Sequence, residues 1–302
     1  MSTEPHGILN LYKPSGPTSH DCVGRVRRAL RTRRVGHAGT LDPMASGVLI
    51  MGIGHGTRIL EYLQGLPKIY RAELLLGVET DSQDTTGAVL AERDASGITE
   101  AQLRAALERF QGEVDQVPPM VSALKVGGKR LYELARQGET VERPARRVTF
   151  YETELLRFTP GPRAEAEIRV ECSAGTYIRT LCHDLGQILG VGAAMSALER
   201  EAIGRFTAAE AIPLDAVGPD TLLLSTAEAL EHLPCFTVDA DGAQRLSHGQ
   251  FLPAPPTLPD GPVRVLNEAG TLLAVATARG RNEARLLTPD KVFAGSEGAD
   301  GA

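Results

Sequence analysis

The sequence predicts an α+β protein with a mixed, largely antiparallel sheet, flanking helices and a small β-barrel at its C-terminal end. Alternating apolar and polar residues predict half-exposed strands over residues 68–76 and 163–172. Strands and helices mix without a regular βαβ repeat, which favours the α+β class. Beyond Pro234 the predicted strands are short, as at 263–266 and 271–277, and roughly 60 residues of this kind predict a small barrel.

Three helices are expected. The first covers residues 19–31, with Ser19 as its cap and an apolar stripe on its inner face. The second begins at Thr99, where Gln102 completes a capping box. The third covers about residues 176–190 and ends at a glycine.

Composition divides the chain into parts. At 302 residues and 42% hydrophobic content, the chain can bury a large core, and we expect one large domain over 1–234 and a small one over 235–294. Residues 118–147 hold seven Lys and Arg and three Gly with few core positions, so we expect a mobile excursion from the sheet. Residues 295–302 are small and acidic and are expected to be disordered.

Charge is distributed unevenly, although the net charge is −6. Residues 1–60 carry eight Lys and Arg against three Asp and Glu, a net of +5, whereas residues 61–234 have a net of −9 and residues 235–302 a net of −2. A basic region can bind nucleic acid, but a solvated helix face explains the excess equally well. The absence of Trp argues against a surface of aromatic base-stacking platforms.

The chain has four cysteines at wide, irregular spacing and no C-x-x-C pair, so neither a zinc site nor a disulfide framework is predicted. We expect buried thiols in a reducing compartment. No apolar signal segment opens the sequence and no run of about 18 apolar residues occurs. We therefore expect a cytoplasmic protein without a membrane span.

One loop displays a single carboxylate, Asp42, among small residues: Gly36-His-Ala-Gly-Thr-Leu-Asp-Pro-Met-Ala-Ser-Gly47. Its glycines permit close approach of a ligand, and Pro43 biases Asp42 toward an extended backbone. The apolar run over 48–51 predicts a buried strand that holds the loop rigidly. On these residues alone, a Gly-rich turn in which the Asp42 side chain caps its own backbone is favoured over a catalytic site.

The loop resembles the catalytic-loop motif of the TruB family of bacterial tRNA pseudouridine synthases. Further segments resemble the same family in the same order, over most of residues 7–206: Lys13-Pro-Ser-Gly-Pro-Thr-Ser19, residues 68–87, residues 116–138 and residues 173–179. Residues 246–249 and 287–293 resemble a PUA-like RNA-binding domain more weakly. The resemblance implies a pseudouridine-synthase-like fold with a C-terminal PUA-like barrel, and it identifies the excursion at 118–147 as an RNA-gripping thumb.

This resemblance implies an isomerase that converts the uridine at position 55, in the T-loop of tRNA, into pseudouridine on a flipped-out nucleotide. The partner would be the T-arm of tRNA. The family uses no metal and no organic cofactor, so none is expected. No obligate protein partner is evident, and we expect a monomer.

Three residues are the expected catalytic groups. By resemblance, Asp42 is the nucleophile; its carboxylate could attack the nucleotide or take a proton from the sugar, and the sequence leaves both modes open. Arg179 offers a guanidinium fork that would keep Asp42 ionised; alternatively it is a surface residue, although a cation in the first turn of a helix opposes the dipole and favours a compensating partner. Tyr70 would contact the uracil or move a proton, while periodicity alone favours simple core packing.

Five residues are the expected substrate contacts: His37, Lys13, Asp84, Tyr177 and Leu198. By resemblance, His37 fills the gap that a flipped base leaves, Lys13 belongs to the N-terminal motif, and Asp84 contacts a base edge. Tyr177 and Leu198 would line the pocket. The plainer alternatives are a loop histidine, a turn-forming aspartate and ordinary helix core.

Some features depart from this interpretation. The family often has Leu-Arg-Arg where this chain has Leu198-Glu-Arg200, so one basic contact is missing. A non-catalytic RNA-binding protein could keep the family's shape. The glycines of residues 52–56 could form a nucleotide-phosphate loop, but their spacing fits neither the dinucleotide-binding nor the P-loop pattern.

Overall fold

The computed structural model describes residues 4–120, 125–126, 129–130, 141–280 and 285–293. Most of the predicted thumb at 118–147 lies outside the described residues, as does the predicted tail at 295–302. Within the described part of the chain, no helix is both long and apolar enough to cross a membrane.

Strands make up most of the regular structure. They are, in chain order, β1 Gly7–Lys13, β2 Val35–Ala38, β3 Ser46–Ile53, β4 Lys68–Leu76, β5 Val78–Thr80, β6 Val89–Glu92, β7 Gly112–Gln116, β8 Lys125–Val126, β9 Lys129–Arg130, β10 Arg146–Thr159, β11 Glu165–Cys172, β12 Ala193–Ile203, β13 Phe206–Thr207, β14 Ile212–Pro213, β15 Cys235–Val238, β16 Leu252–Pro253, β17 Gly261–Asn267, β18 Leu272–Arg279 and β19 Leu286–Val292. The helices are α1 Ser19–Ala29, α2 Leu60–Gln64, α3 Glu100–Glu108, α4 Ile178–Leu189, α5 Thr226–Ala229 and α6 Ala240–Ser247.

Ten strands form the main sheet, in the order β14-β1-β3-β12-β4-β11-β10-β7, with β2 beside β3 and β13 beside β12. The β1–β14 and β3–β12 pairs are parallel, and the other pairs of this sheet are antiparallel. The predicted α+β class with a mixed, largely antiparallel sheet is confirmed.

Alternation along β4 and β11 places the core on one face of this sheet. In β4 the even positions from Lys68 to Leu76 are buried, as the sequence predicts, and in β11 the same holds from Ala166 to Cys172. The buried face packs against α3 and α4 in one apolar cluster. The opposite face of these two strands carries charged residues, so this part of the sheet has one dry side and one wet side.

Helix ends agree with the sequence in two places and differ in one. Thr99 and Gln102 form the predicted capping box of α3, and α4 ends at Gly190 in the left-handed conformation, φ 75°. The prediction that Ser19 caps α1 is wrong, because Thr18 is the cap and forms a capping box with Asp21. The Ser19 hydroxyl instead forms hydrogen bonds with the main chain of Leu41.

A second sheet of five strands, in the order β15-β17-β18-β19-β16, forms the barrel-like C-terminal unit. Phe293, 1% exposed, packs in a cluster with Ile59 and Leu63 of the main unit. The Arg58 guanidinium lies 4.5 Å from the centroid of the Phe293 ring. Arg58 Nη1 also donates to the Val292 carbonyl at 2.8 Å, so apolar and polar contacts join the two units.

Replacing Phe293 by Ala should lower the free energy of unfolding by roughly 3–5 kcal/mol, because it leaves a cavity at this junction. Phe251→Ala is the matched control, since that ring is 56% exposed and its loss should change stability by no more than about 0.5 kcal/mol. Denaturant titration of both variants measures the difference. Equal values for the two would contradict a packed junction.

Candidate active site

The Asp42 loop connects β2 to β3 and is held by groups from the N-terminal motif. Ser19 Oγ accepts from the Leu41 amide at 2.9 Å and donates to the Leu41 carbonyl at 3.1 Å. The Gly16 amide donates to the Pro43 carbonyl at 2.8 Å. These bonds satisfy main-chain groups on both sides of Asp42, so the loop is held in one conformation.

Lys13 lies beneath the same loop. Its ammonium donates to the carbonyls of Ala45 at 2.6 Å and Pro43 at 3.3 Å. Lys13 is fully buried, and this burial lowers the pKa of its ammonium. In this position Lys13 supports the loop; the substrate contact predicted for it stays a prediction.

Arg200 joins the two ends of the loop, and the sequence analysis did not single it out as functional. Its Nε donates to the Val48 carbonyl at 2.7 Å and its Nη2 to the Gly39 carbonyl at 3.1 Å. Gly47 has φ +105°, and a Cβ there would run into the Arg200 backbone. The loop therefore needs a glycine at 47 and a long, multiply donating side chain at 200. The signal in the sequence was its place in Leu198-Glu-Arg200, where the family often has Leu-Arg-Arg.

Asp42, Arg179 and Asp84 come together at the surface end of the core. Arg179 Nε lies 3.0 Å from Asp42 Oδ2, and its Nη1 lies 3.3 Å from Asp84 Oδ2. The Arg179 side chain is 4% exposed and the Asp42 side chain 39%. The predicted pairing of Asp42 with Arg179 is present, and the acid is the member that solvent and a substrate can reach.

Asp84 has a different environment from Asp42. Its side chain is 7% exposed, and its Oδ1 accepts from Ser82 Oγ at 2.8 Å, from the Thr86 amide at 3.0 Å and from Thr86 Oγ1 at 2.5 Å. Arg179 Nη1 also donates to the Ser82 carbonyl at 3.1 Å. Protein donors therefore surround the Asp84 carboxylate, and this fixed carboxylate positions the Arg179 guanidinium. The base-edge contact predicted for Asp84 stays a prediction.

Tyr70 lies on β4 next to the loop. Its side chain is 8% exposed and belongs to the same apolar cluster as Leu41, Ala45 and Leu198. Burial raises the pKa of the Tyr70 hydroxyl, and the neighbouring Arg200 guanidinium partly offsets this rise. The hydroxyl is therefore protonated at neutral pH.

The other predicted contacts lie around this group. His37 is on β2, and burial, reinforced by Arg200, lowers the pKa of its imidazole, so the ring is neutral at pH 7. Its Nδ1 has no hydrogen-bond partner among the described residues. Tyr177 immediately precedes α4, and its backbone exchanges two hydrogen bonds with the Gln116 amide, at 2.8 and 3.0 Å. Leu198 lies on β12, so the alternative of helix core is wrong, and its predicted place in the pocket wall stays a prediction.

Two further sequence interpretations can be compared with the structure. Glu199, which replaces a basic residue of the family motif, accepts a hydrogen bond from the Tyr12 hydroxyl at 2.9 Å. In residues 52–56, the His55 amide donates to His6 Nδ1 at 3.3 Å and the Gly54 amide donates to the Arg34 carbonyl at 2.7 Å. These glycines permit close backbone packing, and the two amides are not available to phosphate.

Two family models match consecutive parts of the chain. The model of the TruB family pseudouridylate synthase N-terminal domain matches residues 27–178. The chain belongs to the TruB family. The model of the tRNA pseudouridylate synthase B C-terminal domain matches residues 179–233. Asp42 lies in the part matched by the first model, and Arg179 is the first residue matched by the second, so the pair joins the two matched parts.

Curated relatives agree with this assignment. The tRNA pseudouridine synthase B of Symbiobacterium thermophilum is 53% identical over 249 residues, covering 82% of this chain and 83% of that protein. The enzyme of the same name from Moorella thermoacetica is 46% identical over 301 residues, covering 95% of this chain and 99% of that protein. The predicted enzyme class, a tRNA pseudouridine synthase, is confirmed.

Solved structures confirm the fold class. An H/ACA RNP bound to a substrate RNA containing 2′-deoxyuridine holds a chain that matches with a TM-score of 0.73 at 26% identity, covering 95% of this chain and 85% of that one. A chain of a Cbf5-Nop10-Gar1 complex matches with the same TM-score at 27% identity.

Among the described residues, no group of three or more His, Cys, Asp or Glu is arranged to hold a metal ion.

Replacing Ser19 by Ala should lower the free energy of unfolding by roughly 1–3 kcal/mol, because the buried Leu41 amide and carbonyl lose their partner. The TruB reaction should also slow, since the Asp42 loop loses a tether. Ser15→Ala, an exposed serine in the same motif, is the control and should behave as wild type. Denaturant titration and a single-turnover rate measure the two effects. An unaltered rate in a destabilised Ser19 variant would show that the Ser19 hydrogen bonds do not contribute to catalysis.

Proposed function

We propose that this TruB-family enzyme converts the uridine at position 55 in the T-loop of tRNA into pseudouridine, with Asp42 as the nucleophile. The single observation that carries the proposal is the ion pair between Asp42 and the buried Arg179, in which the acid remains 39% exposed. A carboxylate that is held in place and open to solvent is the group that this chemistry requires. The T-loop position comes from the family resemblance.

The reaction is an isomerisation, so atoms and electrons balance within the nucleotide. The bond between ribose C1′ and N1 breaks, the base turns, and C5 bonds to C1′. C5 then loses its hydrogen as a proton, and N1 gains one. No external oxidant or energy source enters, so the protein must supply a carboxylate, a route for the proton and a pocket for the displaced base.

Asp42 supplies the carboxylate. In the proposed mode it bonds to the nucleotide while the base turns; in the alternative mode it takes a proton from the sugar first. Arg179 holds the carboxylate in position, because its Nε lies 3.0 Å from Asp42 Oδ2. Asp84 keeps Arg179 in place, because its carboxylate forms an ion pair with Arg179 Nη1 at 3.3 Å.

The remaining residues would shape the pocket. Tyr70 offers an aromatic face to the uracil and a protonated hydroxyl next to Asp42. His37, neutral and half-buried, would fill the gap in the stack when the nucleotide leaves it. Tyr177 and Leu198 would form apolar walls, and Lys13 would act on the substrate through the loop that it supports.

The domain roles follow from the same proposal. Residues 1–234 would hold the catalytic centre, with a thumb at 118–147 that grips RNA, and residues 235–294 would form a PUA-like domain that binds the same tRNA. We propose that the protein acts as a monomer without an obligate protein partner.

Mapping pseudouridine in an unmodified tRNA transcript treated with the purified protein tests the site of reaction. We expect modification at position 55 alone. A transcript in which cytidine replaces that uridine is the control and should stay unmodified. Pseudouridine at another position would overturn the T-loop assignment, and its absence from every position would favour the non-catalytic RNA-binding alternative.

Replacing Asp42 by Asn keeps the shape of the side chain but removes its charge and its nucleophilic oxygen. We expect pseudouridine formation to fall below detection, while tRNA affinity changes by less than about threefold, because phosphate contacts outside the site supply a large share of the affinity for RNA. Single-turnover product formation and filter binding measure the two quantities. Asp215→Asn, an exposed aspartate, is the control. Product formation at the wild-type rate would exclude Asp42 from the mechanism.

A further inference from the structure

A groove lies on the outer side of α1, beside the Asp42 loop. Its volume is about 410 Å³, and it is lined by Gly16, Pro17, His20, Asp21, Gly24, Arg25 and Arg28. None of these residues belongs to the catalytic group described above. The groove is open to solvent along one side of the helix, since His20, Arg25 and Arg28 are all exposed.

The groove and the catalytic loop are directly connected. The Gly16 amide at the groove's edge donates to the Pro43 carbonyl at 2.8 Å, next to Asp42. Ser19, between the groove residues Pro17 and His20, bonds to Leu41 on the other side of Asp42. The groove therefore adjoins the loop that carries Asp42.

The groove is electropositive. Residues 20–34 contain six arginines and one acid, Asp21. Asp21 Oδ2 accepts from the Thr18 amide at 2.9 Å and from the Thr18 hydroxyl at 2.6 Å. These neutral donors leave its charge in place, so two arginines against one acid give the groove lining a net charge of +1. Arg25 and Arg28 are three positions apart, so their side chains lie on one face of the helix.

Arginines on the wet face of the sheet differ from these two. Arg71, Arg157 and Arg169 all form ion pairs with glutamates there, which neutralise their charge. Within the described part of the chain, neither Arg25 nor Arg28 forms an ion pair. Unpaired arginine forks in an open groove are suited to bind phosphate, whereas paired arginines are not free to do so.

We propose that this groove is a phosphate-binding subsite for the RNA strand that flanks the target nucleotide, with Arg25 and Arg28 as its contacts. The inference rests on the proposed function and adds a second anchor outside the catalytic centre. Because phosphates carry no sequence information, the subsite would fix the register of the strand over Asp42 and leave the choice of base to the pocket.

The test uses the full chain with both arginines replaced, Arg25→Gln with Arg28→Gln. Affinity for the unmodified tRNA transcript should fall roughly tenfold, and the slope of log affinity against log salt should become shallower by about 1.4–1.8, since each lost phosphate contact contributes about 0.7–0.9. The loss should appear in the dissociation constant and in KM more than in kcat. The same slope change should appear with the isolated T-arm stem-loop.

A double variant on α3, Arg104→Gln with Arg109→Gln, is the matched control, because both arginines are exposed and the change in net charge is the same. It should bind RNA as the wild type does. An equal loss of affinity in this control would show a general effect of net charge and overturn the subsite. Unchanged affinity and slope in the Arg25 and Arg28 variant would overturn it as well.

Two further outcomes separate this inference from the proposed function. A slope change with whole tRNA but not with the T-arm stem-loop would show that the groove binds a different part of the RNA, which contradicts contact with the flanking strand. Absence of pseudouridine in tRNA treated with wild-type protein would overturn the proposed function. The affinity measurements do not depend on turnover, so they would still test whether the groove binds RNA phosphate.

Discussion

The arrangement of the candidate site depends on one constraint: a guanidinium that is 4% exposed must be paired. Arg179 meets this requirement with two carboxylates, Asp42 at 3.0 Å and Asp84 at 3.3 Å. A buried arginine left without partners would be costly, so the loop that carries Asp42 and the turn that carries Asp84 are both held against the start of α4. Only Asp42 reaches solvent to an appreciable extent, and the shared cation thereby separates the two acids into a reactive group and a supporting one.

A second set of contacts fixes the loop itself. Ser19 and Lys13 bond to its main-chain groups from the N-terminal motif, and Arg200 joins its two ends from β12. Each contact satisfies a carbonyl or an amide that would otherwise be buried without a partner. The loop is therefore held before any substrate arrives, which is the condition for a carboxylate to act without reorganising its surroundings.

Sequence motifs named Asp42, Tyr70 and Arg179 as a group, and the structure brings the first and third into contact. The motif could not show that Asp84 lies behind Arg179, because an aspartate in a polar turn has the same local pattern whether it contacts solvent or a buried cation. Arg200 was missed for a related reason: its partners, Gly39 and Val48, lie more than 150 positions away in the chain.

The sequence by itself determined the strand at 68–76, the capping box at Thr99 and the change of architecture after residue 234, because period-2 alternation and capping depend on neighbours within a few positions. Only the tertiary structure decided that Ser19 ties down the catalytic loop, although it stands where a helix cap was expected, and that Leu198 lies on a strand. A hydroxyl bonds to whichever unsatisfied group the fold brings to it, and a buried strand position reads like helix core until its neighbours are known.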